Sequence, residues 1–247
     1  MCIQTNLMKV IIMKHVFLWI MGCLFCSVVN AQEQRLFDEY LRKVGDKAEM
    51  FVGKMEPGYA STVYINHPYW SSEEFLVGEV NYKGLLYRNV LLRYDAFLKQ
   101  LVVKTPEKQS NVYIPMHAVE GFSIGGIVYA KYGEEFMAVL YDGSRIGLLE
   151  QIQVKMKENT NHAMLQYDFK RNVNYYIWSD GKMYEINSMR SVLKLYPELE
   201  KELKRFVKMN HLNFKENRQY SLISMVKYAD DFANNSSAYF TIDIKEY

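Results

Sequence analysis

Arg93-Tyr94-Asp95 closes an apolar stretch with a guanidinium and a carboxylate two residues apart. Residues two apart on a strand share one face. The pair can therefore pin a hairpin as an Arg–carboxylate bridge, or offer a polar anchor to a ligand or partner at a sheet edge. Tyr69 and Trp70 follow Asn66-His67-Pro68. Their rings either plug the core or give stacking area to a sugar or peptide. Tyr69, Trp70, Arg93, Tyr94 and Asp95 form the candidate binding set.

Other chemistry is weakly signalled. His67, His117, His162 and His211 are scattered, with no pair at the i, i+2 or i, i+4 spacing common in zinc sites. No metal site is expected. Ser191-Val192-Leu193-Lys194 and Ser224-Met225-Val226-Lys227 both fit S-x-x-K, but the S-D-N and K-T-G partners of that motif are missing. Asp142 and Asp180 could work as a carboxylate pair only if the fold joined them. Each precedes glycine, and a turn role explains both. Gly125-Gly126 lies between strand-like runs and reads as a bulge or bend. No catalytic residue and no cofactor is expected.

The elements that must carry these residues begin after a leader. Lys14-His15 precede the uncharged run Val16 to Val29, which ends in Val29-Asn30-Ala31 before Gln32. A basic start, a short apolar middle and a small-x-small end make a secretory signal peptide. Cleavage is expected between Ala31 and Gln32. The run is shorter than the roughly 20 residues a membrane-spanning helix needs, so no transmembrane anchor is expected after cleavage. Ile20-Met21-Gly22-Cys23 approaches a lipobox but lies inside the apolar run.

Removing the leader sharpens the composition. Cys2, Cys23 and Cys26 all fall within it, so the exported part holds no disulfide, thiol nucleophile or Cys-ligated metal. Without Lys9 and Lys14, 28 of the 30 Lys and Arg residues remain, against 28 Asp and Glu. That balance gives no electrostatic footprint for nucleic acid. Aromatics make up 15% of the chain and include 20 tyrosines, a bias that suits half-buried pleated surfaces.

Residues 32–57 read as an N-terminal helix, because Leu36, Phe37, Tyr40, Leu41, Val44 and Ala48 recur at three- and four-residue steps. Residues 58–186 read as antiparallel β structure. Strands are expected over 75–82, 85–94, 98–104, 112–114, 127–132, 136–141 and 145–154. Lys83-Gly84 is a turn between two of them, and Asp142-Gly143 and Asp180-Gly181 carry hairpin chemistry. No helical pattern separates the runs, which excludes parallel crossovers. Residues 187–247 read as a C-terminal helical segment, with a break at Pro197, a second helix over 218–232 and a last strand over 239–244. The fold class is therefore α+β: an antiparallel meander forming a half-open barrel or sandwich, with the helices packed on it.

Three blocks then stand out: Asn66-His67-Pro68-Tyr69-Trp70 with Gly78; Tyr82-Lys83-Gly84 to Tyr87 with Val90 to Asp95 and Leu101-Val102-Val103; and Asp180-Gly181-Lys182-Met183-Tyr184 with Leu193 to Pro197. In these the chain resembles a group of exported Bacteroidota proteins of unknown function. The resemblance implies an envelope location in a Gram-negative cell, periplasmic, outer-membrane-associated or secreted, and implies no activity. Three functions fit: a non-enzymatic binder of an envelope ligand or protein partner, a periplasmic carrier of lipid or lipoprotein acyl chains, and a hydrolase with residues assembled from distant segments.

Overall fold

The structure is a computed structural model that describes residues 34–159 and 165–242. The leader with its Ala31–Gln32 junction, His162 and residues 243–247 lie outside the described residues. Helix α1 (residues 34–44) ends in two 3-10 turns, Gly45–Lys47 and Glu49–Phe51. Phe37, Leu41 and Val44 pack on the core, whereas Leu36 and Tyr40 of the expected stripe are exposed.

Eleven strands follow: β1 (Tyr64–Ile65), β2 (Leu76–Tyr82), β3 (Leu85–Asp95), β4 (Gln100–Lys104), β5 (Asn111–Tyr113), β6 (Val119–Ile124), β7 (Ile127–Tyr132), β8 (Glu135–Asp142), β9 (Ile146–Asn159), β10 (Gln166–Ser179) and β11 (Lys182–Ile186). They form one sheet in the order β1-β10-β9-β8-β7-β6-β2-β3-β4-β5, with β11 also beside β10. The sheet does not close on itself. Every pairing is antiparallel except the short parallel contact of β1 with β10. The meander is broken at β1, which joins β10 and not β2, and again where β6 returns to the free side of β2. Gly78 permits this, since a Cβ there would sit 1.9 Å from the Ser123 carbonyl oxygen.

Turn chemistry fixes the hairpins. Lys83-Gly84 and Asp180-Gly181 both take positive φ at each position, as a two-residue I′ turn requires. Gly125-Gly126 does the same between β6 and β7, so it is a hairpin turn and not the expected bulge. Asp142-Gly143 is also different. Gly143 donates its N–H to the Ile146 carbonyl at 3.0 Å, which closes a wider turn, and neither residue has positive φ.

Two hydrophobic cores result. One collects aromatic residues of the β2–β10 faces, including Trp70, Tyr94, Phe122, Tyr129 and Phe136. The other lies where helices α2 (Met189–Leu195), α3 (Glu200–Met209) and α4 (Arg218–Ile242) cover β9–β11. Pro197 opens a short 3-10 turn between α2 and α3, where its missing N–H costs nothing. Leu222, Met225, Val226 and Ala229 of α4 are fully buried, each of the larger three stabilising by about 1.5–3 kcal/mol. The polar run Asn234 to Ser237 does not end this helix, and residues 239–242 continue it in place of the expected strand. Asn and Ser disfavour a helix only mildly, and propensity is a weak prior.

Candidate functional site

All five candidate binding residues are drawn into one region and turned inward. Pro68–Trp70 runs along the end of β3: Tyr69 bridges Asp95, the Trp70 N–H donates to the Tyr94 carbonyl at 2.9 Å, and the Ala96 N–H to the Pro68 carbonyl at 3.0 Å. β2 pairs β3 only as far as Leu92, but the 68–70 segment takes its place beside Tyr94 and Asp95 while β4 pairs the other side, so this end of the strand is not a free sheet edge. Strand alternation sends Tyr94 into the aromatic core, 5.5 Å from Phe122, and puts Arg93 and Asp95 on the opposite face.

Arg93 and Asp95 do not bridge each other as the hairpin reading expected. Arg93 Nη2 donates to Glu56 Oε2 at 2.5 Å and Nη1 to the Glu73 carbonyl at 2.7 Å, while its guanidinium lies over the rings of Tyr69 and Phe75. Glu56 also accepts from the Tyr69 hydroxyl at 2.9 Å and Asn111 Nδ2 at 3.2 Å. Asp95 accepts the N–H groups of Phe97 and Leu98 and, at 2.6 Å, the Tyr59 hydroxyl. Burial pushes the Asp95 carboxyl above its usual range, against the pull of these three donors. Burial likewise raises the phenols of Tyr59 and Tyr69. The result is a closed polar knot in which the carboxylates and both Arg93 terminal nitrogens are paired, while Arg93 Nε is buried with no hydrogen-bond partner. Both carboxylates have zero exposure at the side chain or residue level, so burial without these partners would cost several kcal/mol per ion, on the order given for unpaired charges.

The remaining motifs resolve into structure. Ser191 belongs to the cap of α2: its Oγ donates to the Ser188 carbonyl at 2.6 Å and accepts the Ser188 N–H at 3.1 Å. Gly121-Phe122-Ser123-Ile124-Gly125 has the spacing of a nucleophile elbow. That elbow needs a strand-to-helix turn, whereas Ser123 sits within β6, opposite Glu79 and Val128. His67 Nδ1 lies 3.5 Å from Arg171 Nη2, and burial, then Arg171, lowers its pKa. Among the described residues no histidine hydrogen-bonds a carboxylate or hydroxyl, and no group of three His, Cys, Asp or Glu could hold a metal ion. Asp180 occupies a turn, and Asp142 ends β8, paired with Gly147 just before the 143–145 turn.

Asp230 of α4 fastens the helices to the sheet. Its carboxylate accepts the Tyr141 hydroxyl at 3.0 Å and the N–H groups of Ser144 and Arg145 at 3.0 and 3.1 Å. Gly143 allows this approach, because a Cβ there would lie 2.3 Å from Asp230 Oδ2. Glu150 is a second buried anchor, held by Gln219 of α4 at 3.1 Å and by Trp70 and Tyr175. Burial raises its pKa.

The exposed chemistry lies elsewhere. β9 and β10 pair over fourteen residues, and alternation divides them cleanly. One face carries Leu148, Ile152, Val154, Phe169, Val173, Tyr175 and Ile177, which enter the two cores. The other presents two parallel rows: Gly147, Leu149, Gln151, Gln153, Lys155 and Lys157 on β9, opposite Trp178, Tyr176, Asn174, Asn172, Lys170 and Asp168 on β10. Glu185 and Met183 of β11 flank Tyr176 and Trp178. Leu149 and Gln151 form the buried floor of this face, while Trp178, Asn172, Gln153, Lys155 and Lys170 are exposed. Gln151 Oε1 accepts from Gln153 at 3.1 Å, Tyr176 at 3.2 Å and Asn174 at 3.4 Å, and Asn172 donates to Asn174 at 2.9 Å. The carboxamides are thus oriented by one another before anything binds. Lys170 pairs with Asp168, which leaves one carboxylate among the three lysines 155, 157 and 170.

A cavity of about 200 Å³ adjoins this face, between the β3–β4 turn and strands β8 and β9. Trp70, Tyr94 and Phe136 supply its apolar side, and Lys99, Glu135, Gln151, Gln153 and Lys155 its polar side. Glu135 accepts from both Lys99 and Gln151, and the Lys99 hydrogen bond holds its carboxyl below the usual range. A shallower groove of about 400 Å³ runs past Leu98, Tyr113, Ile114 and Pro115. Among the described residues no helix is long and apolar enough to cross a membrane.

Trp178 and the carboxamide rows were not among the candidate residues. The signal was present in the period-two pattern of 166–178, broken at Arg171, where Gln166, Asp168, Lys170, Asn172, Asn174, Tyr176 and Trp178 fall on one face. No protein-family model matches the chain, and no curated protein or solved structure is detectably similar to it, so its own geometry carries the functional reading.

Proposed function

We propose that this chain is an exported cell-envelope protein that binds a ligand non-covalently on the outer face of β9–β11, without transforming it. The export address rests on the leader pattern of residues 14–31 and on the resemblance to exported Bacteroidota proteins. One observation carries the binding reading: exposed Trp178, Asn172 and Gln153 stand in register with half-buried Tyr176 and Asn174 on a sheet face, oriented by hydrogen bonds that converge on buried Gln151. Pre-orientation lowers the ordering cost of binding. The groups able to do chemistry are instead buried and occupied, as in the knot of Glu56, Arg93 and Asp95.

The alternatives draw less support. An acyl-chain carrier needs an empty apolar interior, and the curl of the sheet is filled by Trp70, Tyr94, Phe122, Tyr129 and Phe136. The adjoining cavity of about 200 Å³ is smaller than the roughly 300 Å³ lower range of ligand pockets, and the groove of about 400 Å³ past Leu98 and Tyr113 is open to solvent and not an enclosed interior. A hydrolase needs a histidine against a carboxylate or hydroxyl, and His67 faces a guanidinium. Hydrogen exchange tests the binding reading. Soluble envelope extract should slow exchange in β9, β10 and β11 and leave β3 and β4 unchanged. Protection confined to other strands would refute it.

A further inference from the structure

The binding face also has a directional chemistry. Trp178, Tyr176, Asn174, Asn172 and Lys170 occupy alternate positions of one strand, so the row spans about 26 Å at roughly 3.3 Å per residue. Its aromatic end is open: Trp178 is 41% exposed, and the residue opposite it is Gly147, so no side chain stands beside the indole on that strand. An exposed indole next to a phenol offers an apolar plane with polar rims. Its middle consists of carboxamides, each both donor and acceptor, which matches hydroxyl groups that also play both roles. Its far end is cationic. Lys155 and Lys170 face each other directly across the β9–β10 ladder, an arrangement of like charges that costs stability and that a bound anion relieves.

Resting on the binding reading above, we infer that the ligand is an oligosaccharide carrying one acidic group, laid along β10 with a pyranose on Trp178 and the acid between Lys155 and Lys170. A pyranose ring has a flat C–H face for the indole and a rim of hydroxyls for Asn172 and Asn174. An extended peptide would instead need unpaired backbone at a sheet edge, and this face presents side chains.

Two probes that differ by one acidic residue test the inference: lacto-N-tetraose, which is neutral, and its sialylated form, which adds one sialic acid with its carboxylate; the double-lysine variant separates the charge from the added ring. Calorimetric titration should show the sialylated sugar binding at least about tenfold tighter, a difference of about 1.4 kcal/mol. That advantage should vanish in the Lys155→Gln/Lys170→Gln protein and shrink with added salt. Trp178→Ala should weaken both sugars by about tenfold. Equal affinity for the two sugars, or an acid preference that survives loss of both lysines, overturns the inference. If neither sugar binds while envelope extract still protects β9–β11 from exchange, the saccharide assignment falls and the binding face stands. If the extract gives no protection there, both fall.

Discussion

Two of the chain's three tryptophans lie among the described residues, and they mark two regions of similar composition and opposite fate. Trp70 is 4% exposed and Trp178 is 41% exposed. Around Trp70, aromatics, carboxylates and an arginine close on one another, with every carboxylate held and only Arg93 Nε among the arginine's nitrogens left unpaired. Around Trp178, aromatics, carboxamides and lysines lie side by side on a sheet face with their outer surfaces free. The difference is topological. A loop crossing the end of β3 supplies a lid of partners for the first group, while the helices pack on the other side of β9–β11 and leave the second face uncovered. Residue type alone therefore does not tell a structural polar cluster from a binding surface. The presence or absence of a covering layer does.

The largest expected contrast is in stability. Arg93→Met leaves the Glu56 carboxylate buried without its cation and should cost about 3–5 kcal/mol in urea unfolding. The same change at Lys155, on the open face, should stay within about 0.5 kcal/mol. Similar small effects at both sites would remove the distinction. Next comes the tryptophan pair itself. Trp70→Phe strips an indole donor from buried Glu150 and should cost about 1–3 kcal/mol, whereas Trp178→Phe should cost no more than about 0.5 kcal/mol.

A smaller effect separates the regions by sign on the pH axis. Asp95 and Glu150 have folded-state pKa values raised by burial. Their contribution to stability is full below the unfolded pKa of about 4 and is lost as pH rises through the folded value. Glu135, beside the open face, is lowered by Lys99. Its contribution is present above its unfolded pKa and is lost as pH falls through the folded value. Asp95→Asn should therefore flatten the decline in stability above about pH 4, and Glu135→Gln should flatten the decline on the acid side. Unfolding midpoints measured across that range decide it, and matching slopes for the two variants would contradict the assignment. The smallest effect should be that of Asn172→Ala, within about 0.5 kcal/mol of the parent.

Local chemistry made much of this fold legible and little of the site. The 127–132 strand and the Lys83-Gly84 and Asp180-Gly181 turns follow from period-two patterning and left-handed turn preference, which act over a few residues. The inward set Leu222, Met225, Val226 and Ala229 follows from helical spacing in the same way. Partners distant in the chain were not legible: Glu56 takes Arg93 from 37 positions away, and no local spacing announces it. β10 was obscured because Lys170, Arg171, Asn172 and Asn174 interrupt the apolar run, although the alternation persists beneath them. Trp70 lies in a loop, where no strand parity tells inward from outward. Trp178 does have that parity, once β10 is recognised.

The most direct measurement uses the two tryptophans as reporters. The difference in emission between a chain of residues 32–247, which holds Trp70 and Trp178, and its Trp178→Phe variant isolates Trp178, and the variant alone reports Trp70. On addition of envelope extract, the Trp178 signal should shift and become shielded from acrylamide while the Trp70 signal stays constant. A change carried by Trp70, with Trp178 still freely quenched, would contradict a ligand site on the outer face of β9–β11.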